Sequence, residues 1–175
     1  MEIILAENHG FCYGVKRAVE MADEAANSEG KSYTLGPIIH NPQVVGRLES
    51  KGVSPIQEVA DIDEGTMIIR SHGVGPAIYA EAEEKGLHIL DATCPHVKKA
   101  QQDAKSVIED GMTLVILGEK NHPEVKSINL WANNKGIIIE DEESAEKLQI
   151  VEKMGVVVQT TFSQFKFNSI IDILE

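Results

Sequence analysis

Short apolar runs rich in β-branched residues alternate along the chain with longer stretches in which apolar residues recur at helical spacing. Runs this short are typical of strands buried on both faces of a parallel sheet. They predict strands at 3–6, 32–35, 67–71, 89–92, 113–117, 136–139 and 155–159. The stretches between them predict helices at 15–26, 42–50, 76–85, 97–110, 123–132, 144–148 and 162–174.

This alternation of strand and helix predicts an α/β fold, with mostly parallel sheets flanked by helices. Ligands of such sheets bind at the carboxyl ends of the strands, beside the starts of the following helices. We therefore expect the functional residues at these ends.

Two halves of the chain repeat each other. The segment CYGVKRA at 12–18 aligns with CPHVKKA at 94–100, and the same offset places His40 on His122. Repeats in sequence indicate repeated structural units, here small units arranged around a shared cleft. We predict an N-terminal strand and loop at 1–12, a first α/β unit at 13–93 and a second α/β unit at 94–175.

Charge and composition narrow the class of protein. The chain has 175 residues and a net charge of −12, which argues against nucleic acid or an anionic membrane as a partner. No apolar run approaches the roughly 20 residues of a transmembrane helix, and the first residues do not have the pattern expected of a secretory signal. Two cysteines without such a signal predict a cytoplasmic protein in which the thiols have metal or redox roles.

The two cysteines, Cys12 and Cys94, occupy matching positions just before predicted helices. The dipole of a following helix favours a thiolate, which binds iron, zinc or copper or attacks an electrophile. A lone cysteine is more often a small buried apolar residue, but the repeated position favours a shared site.

Three histidines, His40, His72 and His122, also follow predicted strands, as does Thr160. Their spacing is not that of a compact zinc site, and imidazoles beside helix starts suit a phosphate or diphosphate better. The alternative interpretation is a local hydrogen bond for each histidine and an ordinary strand position for Thr160. Glu124 is equally an acid that complements the helix dipole or a proton donor in the cleft.

Taken together, these segments resemble the LytB/IspH family, the 4-hydroxy-3-methylbut-2-enyl diphosphate reductases of isoprenoid biosynthesis. The resemblance covers the whole chain and rests on several motifs in family order. They are GFCYGVKRA at 10–18, HNPQVV at 40–45, SHGV at 71–74, DATCP at 91–95, HPEV at 122–125 and QTT at 159–161.

The resemblance implies three similar α/β units around a central cavity, each contributing one cysteine to a [4Fe–4S] cluster. Cys12 and Cys94 match the first two ligands. The residues that match the binding site for the substrate diphosphate are His40, His72, His122 and Thr160. Glu124 matches the proton donor. The implied reaction removes the allylic hydroxyl with two electrons from ferredoxin or flavodoxin and gives isopentenyl or dimethylallyl diphosphate.

The chain departs from this pattern because it contains only two cysteines. We expect it to be roughly the N-terminal two thirds of the enzyme, and inactive alone, because two thiolates hold a cluster poorly. The resemblance also implies that residues 1–12 pack with the missing third unit. We therefore expect the strand at 3–6 to be loose or paired with another copy.

Two other functions remain open at this point. One is a non-catalytic diphosphate-binding module of the same ancestry, which would bind diphosphate without iron. The other is a dithiol redox protein, which would form a reversible disulfide between Cys12 and Cys94.

Overall fold

The computed structural model describes residues 2–7, 9–28, 30–149 and 152–175. Parallel strands alternate with helices through most of this range, which confirms the predicted α/β class. The strands are β1 Ser32–Leu35, β2 Val53–Ile56, β3 Thr66–Ile69, β4 His88–Asp91, β5 Thr113–Leu117, β6 Ile137–Ile139 and β7 Met154–Val158. The α-helices are α1 Tyr13–Ala26, α2 Pro42–Ser50, α3 Pro76–Glu84, α4 Pro95–Glu109, α5 Pro123–Trp131, α6 Glu142–Glu146 and α7 Gln164–Leu174.

The first sheet has the strand order β2-β1-β3-β4, and all of its pairs are parallel. Its two faces are covered by different elements. Ile68 points to the face covered by α1 and α2, whereas Met67 and Ile69 point to the face that holds α3. Helices on both faces explain why the central strand β3 is apolar at Met67, Ile68 and Ile69 in succession.

The second sheet has the order β6-β5-β7 and is also parallel. Along β5, Leu114 and Ile116 pack against α4 and α5, while Val115 and Leu117 pack against α6 and α7. This period of two is the side-chain alternation of a strand. The predicted division of the chain after residue 93 stays a prediction.

The segment 3–6 is not a strand, contrary to the prediction. Ile3, Ile4 and Leu5 are 73%, 83% and 75% exposed, and no described strand pairs with them. An apolar run becomes a strand only where a neighbouring strand accepts its backbone hydrogen bonds. Cys12 therefore follows an irregular, exposed segment.

The strand β2 was not predicted. It contains Pro55 and lies at the edge of the first sheet, where a residue without an N–H is tolerated. A short 3₁₀-helix at Val59–Asp61 was also missed. Among the described residues, no helix combines the length and apolar character needed to cross a bilayer.

Several contacts join the two sheets and their helices. Trp131 at the end of α5 donates its indole N–H to the carbonyl of Val74 at 2.9 Å. Arg17 of α1 donates to the carbonyls of Asp91 and Thr93, at 3.4 and 3.2 Å, at the end of β4. The Trp131 contact joins a helix of the second sheet to the loop after β3, and the Arg17 contacts hold α1 at the carboxyl end of β4.

Candidate active site

Proline and capping residues position the candidate residues at helix starts. Proline occupies the first turn of α2, α3, α4 and α5, where its missing N–H costs no hydrogen bond. The residues that immediately precede α1, α4 and α5 are Cys12, Cys94 and His122. Strand–helix connections therefore carry Cys94 and His122 at the edge where parallel strands end, whereas Cys12 joins an irregular segment to α1.

The three histidines form one cluster. The ring centroids lie 4.7 Å apart for His40 and His72, 5.4 Å for His72 and His122, and 6.4 Å for His40 and His122. One nitrogen of each ring lies within 4.8 Å of the others. The three residues are far apart in sequence, so this convergence is a property of the fold.

The hydrogen bond of His122 decides its tautomer. Its Nδ1 accepts the backbone N–H of Glu124 at 3.2 Å, so the proton of the neutral ring is on Nε2. An N–H group is a donor for an anionic oxygen, whereas a metal ion requires a bare nitrogen. The geometry at His122 therefore favours an oxyanion over a metal.

His72 is the most desolvated member of the cluster. Burial, followed by the charges of His40, His122 and Arg70, lowers the pKa of its imidazole to about 4. His72 is therefore neutral at pH 7. Its Nδ1 is buried and has no hydrogen-bond partner among the described residues, so it retains hydrogen-bonding capacity for a ligand.

Glu124 lies beside the cluster and is 2% exposed. Its two carboxylate oxygens accept hydrogen bonds from Thr160, one from the backbone N–H at 2.7 Å and one from Oγ1 at 2.9 Å. Of the two interpretations left open by the sequence, this geometry favours a carboxyl group held by Thr160 over one that only complements the helix dipole. A buried carboxyl with a hydroxyl between it and solvent is suited to proton transfer.

The neighbouring Gln159 holds the Thr160 loop in place. Its side-chain carbonyl accepts the backbone N–H of Glu119 at 2.9 Å, and its amide donates to Thr161 Oγ1 at 2.8 Å. The ends of β5 and β7 are thereby joined at the site. Thr161 has this supporting contact, while Thr160 faces the carboxyl group.

The two cysteines lie at the starts of neighbouring helices. Both thiols are free; Cys12 is exposed and Cys94 is half-buried. The Cys94 thiol packs against Gly14, two residues after Cys12, so closely that a Cβ at Gly14 would lie 2.5 Å from Sγ. The glycine therefore permits the approach of α1 to Cys94.

Asp91 supports the turn that leads to Cys94. Its carboxylate accepts the Thr93 N–H at 2.9 Å, the Tyr79 hydroxyl at 3.0 Å and the Lys98 ammonium at 2.6 Å. Burial alone would raise the pKa of this carboxyl, but the hydrogen bonds from Lys98 and Thr93 lower it below its ordinary value. Lys98 is therefore engaged by Asp91.

Sequence reasoning did not single out Asp91 or Arg70. Asp91 is the first residue of the DATCP motif, and Arg70 directly precedes the SHGV motif. These positions were the only sequence feature that could have pointed to either residue. Nothing in the sequence indicated that Arg70 would be half-buried with no acidic partner among the described residues.

Comparison with known proteins identifies the family. The LytB protein family matches residues 3–175. The 4-hydroxy-3-methylbut-2-enyl diphosphate reductase of Geotalea uraniireducens is 48% identical over 172 residues, which cover 98% of this chain and 61% of the relative. The enzyme of the same name from Geobacter metallireducens is 51% identical over 163 residues, 93% of this chain and 58% of the relative.

The solved structures that resemble this chain are also diphosphate reductases. A structure of (E)-4-hydroxy-3-methyl-but-2-enyl diphosphate reductase superposes with a TM-score of 0.86 at 44% identity, covering 98% of this chain and 63% of the other. The Plasmodium falciparum reductase superposes with a TM-score of 0.90 at 31% identity, covering 96% and 54%. The chain spans about three fifths of the length of the curated relatives it matches. By sequence and by fold, it belongs to the LytB family.

Proposed function

We propose that this chain carries the first part of the active site of a 4-hydroxy-3-methylbut-2-enyl diphosphate reductase, a cytoplasmic iron–sulfur enzyme. The observation that carries the proposal is the convergence of three imidazoles with the Glu124–Thr160 pair. This combination provides hydrogen-bond donors for an anion next to a proton donor for a leaving group.

The histidine cluster and Thr160 are proposed to bind the diphosphate. The Nε2–H of His122 donates to a phosphate oxygen, and the partly desolvated His72 has a ring nitrogen, Nδ1, that makes no hydrogen bond with the described residues. Hydrogen bonds made to a charged group in such a site are stronger than those between neutral groups.

Glu124 is proposed to deliver the proton to the leaving hydroxyl. In its protonated form the carboxyl donates to Thr160 Oγ1, which lies 2.9 Å away, and Thr160 then donates its own hydroxyl hydrogen to the substrate oxygen. The overall change consumes two electrons and two protons. One proton leaves with the hydroxyl as water, and the other forms the new C–H bond of isopentenyl or dimethylallyl diphosphate.

The cysteine pair fits two of the ligands of a [4Fe–4S] cluster. Both thiols are free, both precede helices, and Gly14 lets α1 approach the Cys94 thiol closely. Thiolates are the ligands that such clusters use. When bound, the cluster would supply the electrons, received from ferredoxin or flavodoxin, and an iron that polarises the substrate hydroxyl.

Anaerobic reconstitution tests the cysteine assignment. Because two thiolates hold a cluster poorly, we expect the wild-type chain to bind iron and acid-labile sulfide weakly, and each of Cys12→Ser and Cys94→Ser to lose most of both. The exposed His96→Asn, two residues from Cys94, is the matched control and should bind as wild type. A reversible Cys12–Cys94 disulfide in a chain that binds no iron would instead favour a dithiol redox protein.

Pyrophosphate binding by calorimetry tests the histidine assignment separately. We expect His40→Asn to weaken binding about tenfold, because hydrogen bonds to charged groups contribute on the order of 1.5–3 kcal/mol. The exposed His88→Asn serves as control. Equal binding by both variants would rule out the proposed role of His40.

A further inference from the structure

Two buried polar side chains, Gln101 of α4 and Ser127 of α5, meet between these helices. They are 3% and 2% exposed, and the Gln101 amide donates to the Ser127 hydroxyl at 2.6 Å. Apolar residues such as Ala104 and Ile128 form the core around them. A hydrogen bond depends on distance and direction, so this pair fixes the relative position of the two helices more sharply than apolar packing does.

The loop that carries His72 rests on this pair. Gly73 directly follows His72 and has a φ of +70°. A Cβ built on Gly73 would overlap Nε2 of Gln101 and would lie 3.2 Å from Oγ of Ser127. The Gln101 amide therefore occupies the space that a side chain at position 73 would need, and it supports the backbone next to His72.

The other partner of the pair belongs to the helix that begins after His122. His122 is the N-cap residue of α5, and Ser127 lies in the same helix. A hydrogen-bonded helix is rigid over so short a length, so a shift of Ser127 moves His122 as well. The Gln101–Ser127 hydrogen bond therefore connects the loop of His72 to the helix start at His122.

The ring of His72 depends on this support more than the ring of His122 does. Nδ1 of His122 accepts the Glu124 N–H, whereas Nδ1 of His72 has no hydrogen-bond partner among the described residues. The position of the His72 ring is therefore set by its backbone and by packing. The bond from Trp131 to the Val74 carbonyl also joins this loop to α5, but at the end of the helix away from His122.

We propose that Gln101 is a positioning residue of the histidine cluster. Through Ser127 and Gly73 it sets the separation of the His72 and His122 rings, whose centroids lie 5.4 Å apart. Groups that bind one ligand together must be held at a fixed spacing by the residues behind them. The inference rests on the proposed function, because it takes a diphosphate as the ligand of these rings.

Calorimetric titration with pyrophosphate in a double-mutant cycle tests the proposal. Gln101→Met keeps the length of the side chain and removes the hydrogen bond, and we expect it to weaken binding about fivefold. In a His72→Asn background the same change should have no further effect, because Gln101 acts through His72. Gln102→Met changes the adjacent, exposed glutamine in the same way and should bind as wild type.

A second readout requires no ligand. The nuclear Overhauser effect between the ring protons of His72 and His122 reports their separation directly. We expect it to weaken in Gln101→Met and to persist in Gln102→Met. If Gln101→Met failed to fold, Ser127→Ala, which removes the acceptor of the same hydrogen bond, would carry the same expectations.

Two binding results would overturn the proposal: wild-type affinity in Gln101→Met, or an equal loss with and without His72. A wild-type chain that bound no pyrophosphate would contradict the proposed function instead. In that case the Overhauser effect decides the positioning role by itself, since an unchanged effect in Gln101→Met would refute it and a weaker one would support it.

Discussion

At the scale of single residues, the candidate site depends on hydrogen bonds that determine which groups can still donate. His122 uses Nδ1 for the Glu124 backbone and presents Nε2–H. Glu124 uses both carboxylate oxygens for Thr160, although it is almost fully buried. Such a carboxyl is held in one orientation before any ligand binds, which removes the cost of ordering it.

The stability of the chain between pH 4 and pH 6.5 tests the environment of His72. Its pKa is about 4 in the folded chain and about 6.5 when unfolded, so the unfolded state binds more protons in this range. The contribution of neutral His72 to the free energy of unfolding is fully present above pH 6.5 and is lost as the pH drops towards 4. We expect His72 to account for up to about 2 kcal/mol of this loss, after allowance for its partial exposure.

Urea unfolding at several pH values measures this effect. The slope of unfolding free energy against pH should be smaller for His72→Gln than for wild type. The exposed His96→Gln is the control and should keep the wild-type slope. Equal slopes in all three proteins would contradict the low pKa of His72.

At the scale of elements, the close approach of α1 to the start of α4 depends on a glycine. Gly14 is inside α1, where alanine would be the better helix former, yet a Cβ there would meet the Cys94 thiol. The packing of the two helices therefore opposes local helix propensity. Arg17 of α1 reinforces the contact through the carbonyls at the end of β4.

Two glycine-to-alanine substitutions separate packing from propensity. Gly46 is inside α2, and a Cβ at this position would meet no atom within 4 Å, so Gly46→Ala should stabilise the chain by about 0.5–1 kcal/mol. Gly14→Ala should destabilise it by about 1–3 kcal/mol, because the overpacking exceeds the gain in propensity. Urea unfolding of both variants provides the measurement, and changes of the same sign would refute the packing argument.

At the scale of the whole molecule, the two sheets are joined through a small set of contacts around Trp131, the single tryptophan of the chain. Its indole N–H bonds to Val74, and its ring packs against Tyr79 with centroids 6.0 Å apart. Beneath them, Gln101 of α4 donates to Ser127 of α5 at 2.6 Å, and both side chains lie against Gly73. Glycine at 73 has a φ of +70° and leaves no room for a side chain.

Trp131 therefore reports on the contact between the two halves. We expect its fluorescence and the far-ultraviolet circular dichroism to show the same unfolding midpoint in urea, because loss of this contact and loss of the sheets are cooperative. Tyr79→Leu, which removes the neighbouring ring, should lower both midpoints together. An earlier fluorescence transition would show that the halves separate before they unfold.

The positions of the strands and helices were largely predictable, while two departures have a common cause. The segment 3–6 has the composition of a strand but no partner among the described strands, and β2 contains a proline but is accepted at a sheet edge. In both cases the neighbouring strand, which is distant in sequence, decides the outcome. The roles assigned to the candidate site residues stay proposals.

The sequence by itself determined the α/β class, the helix starts beside Cys12, Cys94 and His122, and the resemblance to the LytB family. These features depend on local apolar periodicity, on prolines in first helical turns and on motif order, all of which are readable along the chain. Only the tertiary structure decided that Glu124 is buried against Thr160, that His72 is desolvated and that Arg70 lacks an acidic partner among the described residues. Burial and pairing depend on how the two sheets come together, and no local pattern encodes that arrangement.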